Sequence, residues 1–369
     1  MTMKPTLEPQ HPFDPSRRNF LLSAGMLALA MNFPGPVLGK SVTRQKMGIV
    51  VHSYGLRWNS SVDSQDFPGF QNALQLLEHC HKIGAGGIQV GVQNWTNEFA
   101  GQLRERSKAL NMFIEGSIGL PRSEKEANTF EKQIEIAKSA GVGIFRTVCL
   151  GGRRYETFKS RSEFDSFKEE SLKALKTACK IAEKHRAKLA IENHKDWRAR
   201  ELLEIIQWLD NQWAGVTLDF GNNISLLEDP DEVIEILAPY AFSTHIKDMG
   251  LKAYEEGFLL SEIPLGQGVV NLEKAVALCM EYNPDIKFNL EMISRDPLKI
   301  PCLEEEYWKT FGDLPGNELA KTLRLVRDKG FPEDLPIIST LNPEEKLSKE
   351  EENILACLAY SQDKLNMNQ

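Results

Sequence analysis

The chain has 369 residues, 41% hydrophobic and 26% charged, with a formal net charge of −8. This is the composition of a globular protein long enough to bury a sizeable core. The acidic balance and the lack of a Lys/Arg stripe in the body of the chain exclude a nucleic-acid partner, which needs a basic surface.

The N-terminus reads as a targeting segment rather than part of the fold. Arg17 and Arg18 precede an apolar run from Phe20 to Met31, and Pro34 and Pro36 follow. That run is shorter than the about 20 residues a membrane span requires. Ser16-Arg17-Arg18-Asn19-Phe20-Leu21 resembles a twin-arginine signal, with Val37 and Gly39 as small residues before a cleavage site. The expectation is a signal peptide over residues 1–39, passage through the twin-arginine (Tat) translocase and a periplasmic location. No cysteine follows the apolar run, so no lipid anchor or other stable membrane attachment is expected.

From about Lys46, short apolar runs alternate with segments of helical period. The strand candidates in order are MGIVVHSYG, GIQVGVQ, MFIEGSIG, GIFRTVCLG, KLAIENH, GVTLDFGN, FSTHIKDM and IKFNLEMI. Between them, ELLEIIQWLD places Leu202, Ile205, Ile206 and Leu209 on one helical face. DPDEVIEIL carries a helix start, with Asp229 as cap and Pro230 in the first turn. Eight βα repeats in about 250 residues predict a (β/α)8 TIM barrel over 46–295. A doubly wound sheet would want a Gly-rich phosphate turn after its first strand, and VHSYGLRW has none. The long connection from Gly250 to Val270 is expected to lie over one face of the barrel. Residues 296–369 form a C-terminal helical extension, with two amphipathic helices packed on the barrel or on a partner subunit of a homo-oligomer. The cysteines, at positions 80, 149, 179, 279, 302 and 357, are scattered and form no CxxC, so they read as buried small hydrophobes.

Four successive strands share a polar parity. In LAIENH, Leu189 and Ile191 oppose Glu192 and His194. In VTLDF, Val216 and Leu218 oppose Thr217 and Asp219. In FSTHIKD, Phe242, Thr244 and Ile246 oppose Ser243, His245 and Lys247. In FNLEMI, Phe288, Leu290 and Met292 oppose Asn289 and Glu291. Period-two alternation sends the apolar set toward the helices and the polar set toward the barrel axis. Glu192, Asp219, His245 and Glu291 therefore converge near the strand ends. Three carboxylates and one imidazole cannot stay ionised together without a cation. Three oxygens and one nitrogen suit one divalent ion, Mn²⁺ first, with Mg²⁺, Co²⁺ or Zn²⁺ as alternatives.

At IENH, LDFGN, HIKD, PLGQGVVN and LEM the chain resembles the xylose isomerase-like TIM-barrel superfamily of sugar phosphate isomerases and epimerases, over roughly residues 47–293. The resemblance implies that Glu192, Asp219, His245 and Glu291 bind the metal, and that Glu192 and Glu291 also exchange the substrate's proton. Two positions depart from the epimerase pattern: Asn222 stands where a histidine is common, and Leu251 where an arginine is. His194, Asn222 and Lys247 are then candidates for substrate binding. So are His52 at the end of strand one, Trp95 after strand two and Arg146 in strand four. Glu115, ending strand three, reads either as a second acid/base or as a buried hydrogen-bond partner.

The chemistry implied is removal of a proton beside a carbonyl to give a metal-stabilised enediolate. The expected function is a metal-dependent isomerase or epimerase of sugars or sugar derivatives, with a small sugar as its partner. The alternative is a lyase or hydrolase acting on a 3-keto-glycoside, and a third reading is a non-catalytic sugar-binding barrel. A DNA-repair endonuclease on the same fold would need a multi-zinc cluster, and seven histidines in all are too few.

Overall fold

The computed structural model describes residues 46–367. The signal-peptide reading of residues 1–39 lies outside the described residues. Seven strands come first: β1 (Gly48–Val50), β2 (Gly87–Gly91), β3 (Phe113–Ser117), β4 (Ile144–Thr147), β5 (Lys188–Glu192), β6 (Ala214–Asp219) and β7 (Ala241–Ile246). A hairpin follows, β8 (Asp248–Tyr254) and β9 (Gly257–Ile263), then β10 (Lys287–Leu290) and β11 (Leu298–Ile300). Strands β1 to β7 and β10 close into a parallel barrel, with β10 between β7 and β1. These are the eight strands the alternating pattern predicts, so the chain folds as a (β/α)8 barrel.

Helices α1 (Ala73–Lys82), α2 (Asn97–Ala109), α3 (Glu124–Ser139), α4 (Arg154–Thr157), α5 (Arg161–Lys184), α6 (Ala199–Leu209), α7 (Pro230–Leu237) and α8 (Leu272–Tyr282) connect the barrel strands. Apart from the single-turn α4, each buries apolar side chains on one face. In α6, Leu202, Ile205 and Ile206 are buried as the sequence spacing requires. Helix α7 starts where DPDE predicts, with the Asp229 carboxylate accepting from the Asp231 and Glu232 backbone N–H groups. All six cysteines are free and buried. No helix among the described residues is long and apolar enough to cross a membrane.

The long connection is more ordered than the sequence suggested. It is not an open loop: β8 and β9 form an antiparallel hairpin, and β11 adds to β9 to make a separate three-stranded sheet. The GQGVV turn that follows is explained by Asp248. Its carboxylate accepts from the backbone N–H groups of Met249, Gly266, Gly268 and Val270 at 2.8–3.1 Å. A Cβ on Gly268 would stand 2.2 Å from Asp248 Oδ1, so only glycine admits this cradle.

Beyond the barrel lie α9 (Glu305–Trp308), α10 (Gly316–Asp328) and α11 (Pro343–Asp363). Helix α11 docks on the turn after β1. Its Glu350 accepts from the Leu56 and Arg57 backbone N–H groups, and its Asn353 bonds Ser294.

Candidate metal centre and its surroundings

The strand ends bring the four predicted ligands together. Cross-strand register sets Asp219 beside His245, and Glu291 N, just past β10, bonds Ile246 O. Glu192, Asp219 and His245 are fully buried and Glu291 nearly so. One donor atom from each lies within 4.8 Å of all the others. An ion held about 2.1 Å from each donor needs donors no more than about 4.2 Å apart, so these side chains would close in slightly around one.

Asn193 locks β5 to β6. Its side-chain carbonyl accepts from Asp219 N at 2.7 Å, and its amide donates to Asp219 O at 2.8 Å. Asp219 Oδ1 then accepts from Gly221 N and Asn222 N, which turns Oδ2 toward the centre. Gly221 is required here, since a Cβ would meet Met249 Cγ at 2.6 Å and Lys247 Cγ at 3.1 Å.

The orientation of His245 is set from below. Glu115 Oε2 accepts from Gln89 Nε2 at 3.0 Å, which leaves Gln89 Oε1 as the acceptor facing His245 Nε2 at 2.8 Å. A carboxylate only accepts, so the chain of bonds places the imidazole proton on Nε2. His245 Nδ1 makes no hydrogen bond and faces Glu291, Glu192 and Asp219 oxygens at 3.5, 3.6 and 3.8 Å. Asp219 Oδ2 also lacks a hydrogen bond of good geometry, although Lys247 Nζ lies 2.8 Å away. Buried polar atoms are normally satisfied. Two open donor atoms, aimed at one point between three carboxylates, fit a divalent cation.

Burial works against the charge on every carboxylate here. For Glu192 the guanidinium of Arg146 and the imidazole of His245 outweigh burial and hold the carboxyl well below its usual range. Lys247 and His245 do the same for Glu291. Asp219, buried beside Glu291 and Glu192, is pushed up despite Lys247. Burial resists a charge on His245, but Glu291 and Glu192 overbalance it and raise its pKa to about 9. The three carboxylates thus draw positive charge to this point, and in this structure Arg146, Lys247 and the imidazole supply it.

The other predicted residues divide. Arg146 pairs with Glu192 and also donates to Ser117 Oγ. Lys247 bridges Asp219 and Glu291. Asn222 donates to Glu192 Oε1 at 3.0 Å. His52 is exposed and sets Nδ1 3.0 Å from Glu291 Oε1. His194 is half-buried, and its Nδ1 has no hydrogen-bond partner. Burial and the neighbouring Lys195 lower its pKa to about 3, so it is neutral. Trp95, half-buried, packs edge-on against Phe99 and is not joined to this cluster by any described contact. Glu115 is a buried hydrogen-bond partner, holding Gln89, Ser243 and Asn289.

Sequence reasoning passed over Gln89 and Lys195. The same parity argument, applied to GIQVG, would have found Gln89. Lys195 lies past the end of β5, where alternation says nothing. A groove of about 660 Å³ lined by Arg154, Arg198, Glu201, Glu228, Leu314 and Glu318, among others, shares no residue with the centre. Several of its charges are paired with one another, as in Arg154–Glu201 and Arg198–Glu228, and it lacks converging ligand atoms.

A closed eight-stranded barrel that brings Glu, Asp, His and Glu together at neighbouring strand ends is an arrangement that could hold a metal ion. The chain belongs to the xylose isomerase-like TIM barrel family, whose sequence model matches residues 77–310. It is 26% identical, over 62% of its own length and 78% of the relative's, to a 3-oxo-isoapionate decarboxylase of Pectobacterium atrosepticum. In fold it is similar to a xylose isomerase-like TIM barrel protein from Mycobacterium smegmatis in complex with magnesium. That match has a TM-score of 0.53 at 17% identity and covers 77% of this chain and 99% of the other. It is also similar to a D-psicose 3-epimerase from Clostridium cellulolyticum H10, with a TM-score of 0.51 at 11% identity, covering 77% and 97%.

Proposed function

We propose that this protein is a metal-dependent enzyme that abstracts a proton beside the carbonyl of a sugar or sugar derivative, working as an isomerase or epimerase. The observation that carries the reading is the convergence of Glu192, Asp219, His245 and Glu291, with His245 Nδ1 and Asp219 Oδ2 lacking hydrogen bonds of good geometry. These four residues would hold the ion, Mn²⁺ or Mg²⁺ before Co²⁺ or Zn²⁺. A bound divalent ion supplies Lewis-acid stabilisation of negative charge on adjacent substrate oxygens.

The acid–base work falls to Glu192 and Glu291. They sit on β5 and just past β10, the two ends of the arc β5-β6-β7-β10, so a substrate carbon between them is approached from two sides. One carboxylate takes the proton, and the C–H electron pair passes into an enediolate. The second returns a proton to the opposite face, which inverts the centre; return to the neighbouring carbon isomerises the sugar. Arg146 keeps Glu192 ionised as a base. His52, exposed and 3.0 Å from Glu291, gives that carboxyl a route to exchange its proton with solvent.

A lyase reading of the same site is favoured by the similarity to a 3-oxo-isoapionate decarboxylase. Loss of CO2 from a β-keto acid leaves the C–C electron pair behind as the same enolate charge, and in a 3-keto-glycoside proton abstraction develops that charge before it collapses to expel the leaving group. Export through the signal expected over residues 1–39 would make the substrate a free sugar or glycoside rather than a sugar phosphate.

The test is metal content of the purified protein together with deuterium uptake from D₂O into ketoses, keto-glycosides and keto sugar acids. The reading expects about one divalent ion per chain and exchange that Glu192→Gln and Glu291→Gln each reduce by about 10²–10⁴-fold while the protein stays folded. Full exchange in both variants would remove the proton-transfer assignment.

A further inference from the structure

Five Lys and Arg side chains are buried among the described residues: Arg57, Arg146, Arg154, Lys195 and Lys247. Four of them are ion-paired. Arg57 meets Glu351 at 2.6 Å and Arg154 meets Glu201 at 2.7 Å. Arg146 meets Glu192, and Lys247 meets both Asp219 and Glu291. Lys195 is the exception. It is 4% exposed, and its ammonium bonds a single neutral acceptor, Asn222 Oδ1. Two of its three N–H donors have no partner among the described residues, and no carboxylate comes within ion-pair distance. A buried ammonium left in this state is costly unless a ligand completes it.

Its position is built rather than accidental. The Lys195 carbonyl accepts from Arg154 N at 2.8 Å, and Arg154 is itself pinned by Glu201 and Thr310. Through Asn222 the ammonium stands one side chain away from Glu192, because the same amide donates to Glu192 Oε1. The charge around the centre points the same way. Glu192, Asp219 and Glu291 are already balanced by Arg146, Lys247 and Lys195, while Arg295 is paired with Glu262. A divalent ion would leave two positive charges in excess in a buried site. Burial, Lys247 and Arg295 lower the Lys195 pKa to about 8 against the pull of Glu262 and Asp219, as expected of a cation short of counter-charge.

We propose that Lys195 is a specificity residue that binds a carboxylate of the substrate, so that the ligand of this centre is a sugar acid rather than a neutral sugar. The assignment rests on the metal-centre reading above and narrows it. A single ammonium with two free donors matches the two oxygens of a carboxylate. A phosphate dianion would call for more donors than Lys195 and Asn222 supply.

The experiment is calorimetric titration of the protein, metal-free and loaded with Mn²⁺, with three aldonates (threonate, arabinonate and gluconate) and their matched alditols. In the loaded protein at least one aldonate should bind at least about tenfold more tightly than its alditol, the effect of one charge-assisted hydrogen-bonded pair. Lys195→Met should abolish that preference and Lys195→Arg should retain it, with metal stoichiometry unchanged in both. Aldonates that bind no better than alditols, or no binding by any of the three, would overturn the assignment. So would a preference that survives Lys195→Met, because it would then belong to the ion, or a preference for glucose 6-phosphate over gluconate. Metal stoichiometry is read separately, so failure of the metal reading and failure of the anion site are told apart.

Discussion

Two charge clusters among the described residues are finished differently. One ties α11 to the turn after β1. There Arg57 donates to Glu351 and to Pro68 O and lies over the Phe70 ring, and Glu351 also meets His79, which bonds the Tyr54 hydroxyl. Both Glu350 oxygens accept backbone N–H groups. Every one of these carboxylate oxygens has a donor. The other cluster is the centre at the strand ends, where His245 Nδ1 makes no hydrogen bond, Asp219 Oδ2 has only the Lys247 ammonium beside it and Lys195 lacks a counter-ion. Arg57 and Glu350 of the clasp are as buried as the centre, while Glu351 and His79 are partly exposed, so burial alone does not mark function. Closed hydrogen bonding marks an internal clasp, and open valences that converge mark a place for something else.

The sharpest way to break the contrast is to remove donors from the open cluster. Asp219→Ala combined with His245→Ala should take the metal content from about one ion per chain to none by elemental analysis, with the circular dichroism spectrum kept. Retention of a full equivalent would place the ion elsewhere. In the closed cluster, Arg57→Ala strands Glu351 beside Glu350 and should cost about 3–5 kcal/mol in a denaturant melt, as breaking a buried pair does. It should leave metal content alone; a cost below about 1 kcal/mol would show that the clasp is not a stabilising element. Metal should act only on the open cluster. Mn²⁺ at a hundred times its dissociation constant should stabilise the native chain by about 2.7 kcal/mol and the Asp219→Ala/His245→Ala variant not at all.

The smallest effect is a pH dependence of the clasp. Burial pushes Glu350 from 4.5 up to about 8, against the lowering influence of the Leu56 and Arg57 N–H groups and the Arg57 guanidinium, with Glu351 adding to the rise. His79 and Tyr54 face the adjacent Glu351. A folded-state value above the unfolded one means that the native state binds more protons in between. This contribution is therefore fully present below pH 4.5 and is lost as pH rises toward 8. Glu350→Gln should flatten the fall in stability across that window relative to the native protein, and an unchanged slope would reassign it to other groups.

Strand alternation carried the fold and much of the candidate site. Eight short apolar runs with helices between them are a local signal, and period-two parity tells which side chains look inward. The four converging ligands were legible for that reason. The hairpin of β8 and β9 was harder to read: DMGLKAYEEGFLLSEI offers mixed alternation, and its stabilising neighbour β11 lies 35 residues further on, between Ile263 and Leu298.

By itself the sequence determined the barrel, the order of its strands and the four inward side chains that meet at the strand ends, because these depend on local periodicity and on spacing of one βα unit. Only the tertiary structure decided which charges meet. Parity names a face but not the neighbour across the axis. Nothing in the chain's order says that Arg146 is matched to Glu192, that Glu115 sets His245 through Gln89, or that Lys195 alone of the described buried cations lacks a carboxylate. Those partners are 46, 26 and 156 residues apart where they exist, and only closure of the barrel makes them neighbours.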